Sequence, residues 1–307
     1  MRRNLVMLIA LALIWGASFL FIKVAVRELT PATLILGRLG LAAITLALLL
    51  PFAVGTGETW RQVRNHWGWL VVVALVNTAI PFWLLSWGET RIDSGLASII
   101  QAAVPIFNAA IAFVAFREVR VTGARLLGVA VGFVGVALLV GAQPQGKVLG
   151  ALAVVGMAFC YGLGGLLTGR YLKPVQPIVV ALASTTIAAA VALPAGVAQA
   201  PTETPGWKTI ASVIALGIPG TAIAYLLFFA LISGPGAAYA SLVTYLIPPI
   251  ALAYGAVFLG ERFGAAALGG LALILAGVAL GTGAVRATRF RRARFMGKPG
   301  FPHEPPR

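Results

Sequence analysis

Polar side chains recur at helical spacing inside two long apolar stretches of the sequence. In the first stretch four polar residues and one proline lie at i, i+4, i+7, i+11 and i+14, which places them on one face of a helix. They are Ser94, Ser98, Gln101, Pro105 and Asn108. The second stretch carries Ser241, Thr244, Tyr245 and Pro248. Hydroxyl and amide groups donate and accept hydrogen bonds without carrying charge. The two polar faces predict a water-filled path between helices, and hydrogen bonding between the helices themselves is the alternative.

Prolines inside the apolar stretches add backbone acceptors at similar depth. A proline within a helix leaves the carbonyl four residues earlier without its usual donor, so we expect helix kinks and available carbonyl oxygens at these positions. A kink that neighbouring helices solvate is the other interpretation. The prolines, each followed by the residue whose carbonyl it releases, are Pro81 (Asn77), Pro105 (Gln101), Pro219 (Ala215) and Pro248 (Thr244).

Aromatic residues and one arginine also lie inside the apolar stretches. Trp15, Tyr161 and Tyr225 combine a large ring with a polar tip, and Ser18 follows Trp15 by three residues. We expect these side chains to line a binding site, although ordinary packing explains each one singly. Arg38 lies about six residues inside its stretch, so it either extends to the membrane surface or faces a cavity and binds a carboxylate.

The composition excludes a water-soluble globule. Of 307 residues, 60% are hydrophobic and 10% are charged, against about 45–50% and 25% in soluble domains. Ten continuously apolar segments, each long enough to cross a bilayer, predict transmembrane helices rather than barrel strands. Ten spans place both termini on the same side of the membrane. The excess of Lys and Arg on that side predicts that it is the cytoplasmic side, and we expect the membrane to be a bacterial inner membrane. The segments are 5–26, 32–53, 67–88, 95–116, 123–141, 148–169, 177–197, 208–232, 236–258 and 264–285.

The few cysteines and histidines in the sequence exclude disulfide and metal chemistry. Cys160 is the single cysteine, so no intrachain disulfide forms, and His66 and His303 lie in polar flanks away from any metal-ligating cluster. We therefore expect no metal and no cofactor. The basic residues follow the ends of apolar segments, and the tail 286–307 is expected to be a disordered flank rather than a nucleic-acid site.

The two halves of the sequence repeat each other. At one constant offset, Ala97-Ser98, Pro105 and Glu118 align with Ala240-Ser241, Pro248 and Glu261. Each half then holds five helices, and because five is odd the second half enters the membrane from the opposite side. We predict inverted five-helix repeats at 1–145 and 146–285, followed by the basic tail 286–307.

Paired glycines and glutamates support the same alignment. Gly128 and Gly135 align with Gly270 and Gly277, and we expect them to allow close helix packing. Glu118 and Glu261 precede the fifth and tenth helices, where each is predicted to favour the N-terminus of the helix that follows it.

These features together resemble the EamA-type drug/metabolite transporters, over nearly the whole chain. The resemblance rests on Leu13-Ile14-Trp15-Gly16-Ala17-Ser18-Phe19, Arg38, the Pro-x12-Glu spacing in both halves, and Gly260-Glu261-Arg262. The first half departs from the last motif with Phe116-Arg117-Glu118. The resemblance implies ten helices in two inverted repeats, a cytoplasmic N-terminus, and a cavity bordered by helices 1, 3, 4, 6, 8 and 9. Within the family the chain is most similar to the YddG-type aromatic amino acid exporters.

The expected function is transport by a monomer embedded in membrane lipids, not catalysis. The ammonium group of a zwitterionic solute, best an aromatic amino acid, would bind the released carbonyls at Asn77, Gln101 and Thr244, and its carboxylate would bind side-chain donors. Because no Asp, Glu or His lies in the middle of a segment, we expect a facilitator working by alternating access. Glu28, Glu118 and Glu261 leave proton coupling open. The alternative is a broad exporter of drugs and hydrophobic metabolites, with or without proton coupling.

Overall fold

Ten apolar helices run through residues 2–116, 123–143 and 147–281, which are the residues that this computed structural model describes. Seven are long and apolar enough to cross a membrane, and three are shorter apolar helices. The predicted all-α, ten-helix membrane fold is confirmed. The helices are α1 (Arg2–Ala25), α2 (Pro31–Ala53), α3 (Thr56–Glu89), α4 (94–116), α5 (Gly123–Gly141), α6 (Val148–Tyr171), α7 (Pro177–Ala198), α8 (207–233), α9 (237–259) and α10 (Ala265–Gly281).

Helix α3 begins at Thr56, well before the predicted start at residue 67. Its first turns are polar but belong to the same helix, and Gln62 fixes them to the rest of the protein. The Gln62 side chain donates to Glu58 Oε1 at 2.7 Å and accepts from the Gln176 backbone N–H at 2.8 Å. A boundary drawn from hydropathy leaves out such turns because it tracks apolar residues alone.

Three helices depart from regular α geometry near the predicted prolines. Wide π turns occupy Leu75–Ala79, just before Pro81, and Ile218–Ile223, which contains Pro219. The repeat alignment that places Ser98 on Ser241 also places the first of these turns on the second. In α4 the helix is interrupted by a turn at residues 102 and 103, before Pro105.

The fourth predicted kink differs in position. In α9 the helix is interrupted at residues 241 and 242, while Val243–Leu259 continues through Pro248. The interruption therefore precedes the proline by more than a full turn.

The packing of the helices follows a twofold relation between the halves. Helix α1 packs against α8 and α9, and its counterpart α6 packs against α3 and α4. The remaining helices form two pairs, α2 with α7 and α5 with α10. Each repeat thus contributes one helix to the partner repeat, and a cavity bordered by α1, α3, α4, α6, α8 and α9 stays a prediction.

Glycines bring α5 and α10 into backbone contact, as predicted. A Cβ added at Gly277 would lie 2.6 Å from the Gly128 carbonyl oxygen, and one added at Gly135 would lie 3.0 Å from the Gly270 carbonyl oxygen. The two contacts exchange under the repeat, since Gly128 and Gly135 are the sequence counterparts of Gly270 and Gly277. The helices therefore cross antiparallel about a local twofold axis, which the inverted orientation of the repeats requires.

We predict that Gly277→Ala destabilises the protein. Its new methyl group would meet backbone atoms of Gly128 and Gly132, which cannot move aside, and overpacking of this kind costs about 1–3 kcal/mol. The thermal unfolding midpoint in detergent should fall by several degrees. Gly269→Ala on the same helix is the matched control, because its methyl would be 3.9 Å from Leu138 Cδ2. Equal midpoints for the two variants would contradict the close approach.

Candidate functional site

Arg38 on α2 lies between the two halves of the molecule, with 7% of its surface exposed. Its Nε donates a hydrogen bond to Thr221 Oγ1 on α8 at 3.0 Å, and the Thr221 hydroxyl donates in turn to the Leu216 carbonyl at 2.8 Å. The guanidinium carbon lies 4.2 Å from the centre of the Phe82 ring on α3. The side chain therefore does not extend to the membrane surface, and its predicted role as the partner of a carboxylate in a cavity stays a prediction.

Two tyrosines complete the surroundings of Arg38. Tyr161 on α6 packs against the apolar cluster that contains Phe82, and Tyr225 on α8 lies one turn before Phe229, with ring centres 6.0 Å apart. Both tyrosine side chains lie close to the guanidinium. We call Arg38, Phe82, Tyr161, Thr221 and Tyr225 the Arg38 cluster. It joins α2, α3, α6 and α8, so residues from both repeats meet in it.

Three members of the Arg38 cluster, Phe82, Thr221 and Tyr225, occupy positions that the repeat relates to each other or to Thr78. The alignment of the two halves places Phe82 on Tyr225 and Thr78 on Thr221. Thr78 is 1% exposed, and its hydroxyl lies near that of Tyr225 without reaching hydrogen-bond geometry. The two π turns thus present a threonine each to the same region, and of these two only Thr221 binds Arg38.

The electrostatics of the cluster favour an anionic group. Within the described residues, no carboxylate lies in ion-pair distance of Arg38, and its terminal Nη groups have no protein acceptor. A guanidinium in an apolar interior is costly unless its donors are satisfied. A carboxylate can satisfy two of them at once with charge-assisted hydrogen bonds. The neighbouring rings add flat apolar surface beside that position.

Three further predicted site residues lie on the helices around the cluster. The Trp15 ring on α1 is 5.3 Å from the Phe228 ring on α8. Ser18 Oγ donates to the Ile14 carbonyl at 3.2 Å and faces Gly220 in the π turn of α8. Asn77, in the π turn of α3, lies against α6 where Gly164 leaves room for it.

The predicted polar residues of α4 and α9 differ in their partners: Asn108 Nδ2 donates to the Gly162 carbonyl on α6 at 3.2 Å, whereas Ser98 and Thr244 bond within their own helices. Ser98 is fully buried and its Oγ donates to the Gly95 carbonyl at 2.6 Å, while Thr244 Oγ1 donates to the Ser241 carbonyl at 2.7 Å. Ser241 is exposed, and Gln101 and Tyr245 are half-buried. A role for Ser98, Gln101, Ser241, Thr244 and Tyr245 in a binding site stays a prediction.

Glu261 closes one end of the molecule. Its Oε1 accepts from the Ser94 backbone N–H at 2.8 Å, and its Oε2 accepts from Ser94 Oγ and the Gly95 backbone N–H, both at 3.0 Å. A carboxylate at a helix N-terminus is favoured by the helix dipole and by charge-assisted hydrogen bonds. The sequence-based assignment of Glu261 to its own following helix, α10, is wrong, because it caps α4 across the repeat boundary. Glu118 lies outside the described residues.

The opposite end is packed less tightly. Ser98 and Ile99 on α4 are both 0% exposed. Their repeat counterparts on α9 are Ser241, which is exposed, and Leu242, which is 43% exposed. Equivalent segments therefore occupy unequal environments, one buried at the Glu261 end and the other exposed at the surface of the protein.

Sequence reasoning missed Thr221, Phe82 and Glu89. The first two could have been found from the repeat, since each has a repeat counterpart beside a proline-containing turn. Glu89 directly follows the predicted segment 67–88, where a polar residue is expected at the membrane surface, yet it is 0% exposed. Nothing in the local sequence indicates its burial.

The ten helices and the inverted repeats are an architecture typical of membrane transporters. The EamA-like transporter family matches residues 2–141 and 148–282, and the chain belongs to that family. The chain is 30% identical to a probable terminal-alkyne amino-acid exporter of Streptantibioticus cattleyicolor over 87% of this chain and 89% of the relative. It is 24% identical to a probable amino-acid metabolite efflux pump of Salmonella typhimurium over 95% and 98% of the two chains. A solved crystal structure with 18% identity superposes with a TM-score of 0.66, covering 92% of this chain and 99% of the other, and supports the fold alone.

We predict that Thr221→Val destabilises the protein more than Thr78→Val. Removing the Thr221 hydroxyl leaves the buried Arg38 Nε without its acceptor, and hydrogen bonds to charged groups contribute about 1.5–3 kcal/mol. The Thr78 hydroxyl has no partner of hydrogen-bond geometry among the described residues. Thermal unfolding in detergent should separate the two variants by several degrees. An equal loss in both would contradict the pairing of Arg38 with Thr221.

Proposed function

We propose that this protein exports small zwitterionic metabolites, with aromatic amino acids as its preferred substrates. The observation that carries the proposal is the Arg38 cluster: a buried guanidinium whose Nη donors have no acceptor among the described residues, surrounded by aromatic rings from three other helices. A substrate carboxylate would bind Arg38, and an aromatic side chain would pack against Phe82, Tyr161 and Tyr225. The names of the two relatives refer to amino-acid export, which supports the same substrate class.

The ammonium group would bind backbone carbonyls near the helix irregularities. The π turn before Pro81 contains Asn77, and the turn at residues 102 and 103 follows Gln101. Such positions supply uncharged acceptors without placing a fixed negative charge in the membrane. Trp15, Ser18, Ser98, Ser241, Thr244 and Tyr245 are proposed as further lining, on the helices that surround the centre.

Alternating access is the proposed mechanism, with the protein acting as a facilitator. The closed Glu261 end and the looser opposite end correspond to one of the two states that such a mechanism requires. Exchange of the two environments between the repeats would produce the other state. No acid lies in the middle of a span, so the substrate gradient is the proposed driving force.

The proposed setting is a monomer in a bacterial inner membrane with both termini in the cytoplasm. That topology places the Glu261 end outside and the looser end toward the cytoplasm. The repeat boundaries 1–145 and 146–285 remain proposals, as does the basic tail 286–307, which lies outside the described part of the chain. We propose no metal, cofactor or nucleic-acid partner.

A broad exporter of hydrophobic drugs is the second candidate. Trp15 and the adjacent Phe228, Phe229 and Tyr225 form a nearly continuous aromatic surface that would accept a lipophilic solute. The charge of Arg38 disfavours a cationic drug, however, since like charges in a low-dielectric interior repel strongly. Amino acid flux and cation flux therefore distinguish the two candidates.

We predict that the purified protein in liposomes catalyses saturable uptake of labelled Trp and Phe, exceeding that of Thr and Glu. The uptake should not require an imposed proton gradient, because a facilitator is driven by the substrate gradient alone. Flux that requires the proton gradient would reject the facilitator. Flux of a lipophilic cation in the absence of any amino acid flux would favour the drug exporter.

We predict that Arg38→Gln lowers Trp uptake at least tenfold. The change removes the proposed carboxylate partner, and a charge-assisted hydrogen bond of about 1.5–3 kcal/mol corresponds to roughly a tenfold to hundredfold loss in binding. Arg27→Gln is the matched control, because Arg27 is exposed in the loop after α1. Size-exclusion profiles check that both variants remain folded. Unchanged Trp uptake in folded Arg38→Gln would remove Arg38 from the binding site.

A further inference from the structure

Glu89 is a buried acid with no hydrogen-bond partner for its side chain in the described part of the chain. It is the last residue of α3, it is 0% exposed, and neither carboxylate oxygen has a donor among the described residues. An ionised carboxylate in such a place would lose its hydration and gain no hydrogen bond in return. The neutral acid avoids most of that cost.

Lys23 lies beside Glu89 but binds other atoms. Its Nζ donates to the Glu89 backbone carbonyl at 2.7 Å and to the Ile92 carbonyl at 2.6 Å. The lysine therefore satisfies the carbonyls at the C-terminus of α3, where a cation is favoured by the helix dipole. It forms no ion pair with the Glu89 side chain within the described residues.

The charged groups that act on the Glu89 carboxyl come from three elements. They are Lys23 on α1, Arg38 on α2 and Glu261 in the loop after α9. Two further elements pack against this part of α3 without contributing charge: Ser94–Gln101 has no ionisable side chain, and neither does segment 148–159 of α6. One of the three groups, Glu261, is the residue whose hydrogen bonds close this end.

Close packing keeps water away from Glu89. Gly88 lies against the Gly150 carbonyl and the Val154 side chain on α6, and Gly95 lies against the Phe263 ring from the loop before α10. These contacts join α3, α4, α6 and the α9–α10 loop. Any motion that separates the helices at this end would expose the Glu89 side chain to solvent.

We propose that Glu89 is a proton-binding site whose occupancy is linked to the opening of the Glu261 end. The closed state holds the carboxylic acid; when this end opens, the O–H bond breaks, the proton passes to water on that side, and the carboxylate becomes hydrated. This inference rests on the alternating-access function proposed above. A proton site of this kind makes the opening of the Glu261 end depend on pH, whichever solute the protein carries.

The direction of the pH dependence follows from linkage. A hydrated glutamate ionises at about pH 4.3, so at neutral pH the open state binds fewer protons than the closed state. Raising the pH therefore favours opening, by at most tenfold in the equilibrium constant per pH unit for one linked proton. Acid conditions favour the closed state.

Cysteine accessibility tests the proposal without any substrate. In a Cys160→Ala background, Ser98→Cys places a thiol at a fully buried position of the closed end. Its rate of maleimide labelling between pH 5.5 and 8 is divided by that of Thr204→Cys, an exposed loop position, which removes the titration of the thiol itself. The normalised rate should rise with pH in the otherwise unchanged protein. It should be low and independent of pH when Glu89→Gln is added.

Two variants serve as controls for Glu89→Gln. Glu28→Gln removes an exposed acid, which accepts from the Gly206 N–H at 2.7 Å, and should keep the rise with pH. Glu89→Asp retains the carboxyl group and should also keep it. A flat normalised rate in the unchanged protein would overturn the proposal, as would a rise that persists in Glu89→Gln.

The result is separable from the test of the transport function. If labelling depends on Glu89 while no amino acid is carried, the substrate proposal fails and the proton site stands. If Trp is carried while labelling ignores pH, the proton site fails and the transport function stands. Because the unchanged protein alone can give the flat result, the proposal remains falsifiable even if Glu89→Gln does not fold.

Discussion

Within a membrane, every peptide N–H and C=O must find its partner inside the protein, because hydrocarbon offers none. This constraint accounts for the ten helices, and it also gives meaning to the places where helical geometry is interrupted. The π turns of α3 and α8 occupy equivalent positions in the two repeats and contain Thr78 and Thr221. These irregular turns therefore lie where polar groups from both repeats meet around Arg38.

The sequence predicts the helices well because hydropathy and helix length are local properties. The glycine contacts between α5 and α10 are also predictable, since the spacing of glycines within one helix determines which face lacks side chains and allows close approach. The orientation of Arg38 is not, because it depends on Thr221, which is 183 residues away in the chain. Glu89 and Glu261 show the same limit: both follow apolar segments as surface residues do, and only the packing of other helices determines that one is buried and the other caps α4.

A symmetric sequence has here produced an asymmetric structure. Ser98 and Ser241 are equivalent by repeat, yet Ser98 is buried, one turn after the residues that Glu261 binds, and Ser241 is exposed. Under the proposed alternating access, a second arrangement would arise by exchanging the environments of the repeats, and neither repeat would adopt a geometry foreign to it. The charged groups are also unequally placed, since Arg38 lies between the two repeats, whereas Lys23, Glu89 and Glu261 gather at one end.

The reciprocal glycine contacts of α5 and α10 carry a consequence for the ancestry of the fold. Gly128 meets Gly277 and Gly270 meets Gly135, so the contact surface of one helix is complementary to a copy of itself. Self-complementarity is the condition for a symmetric dimer. A half-length ancestor with five helices would already possess this seam between two copies inserted in opposite directions. Fusion of the two copies into one chain would require a linker between α5 and α6, but no new interface.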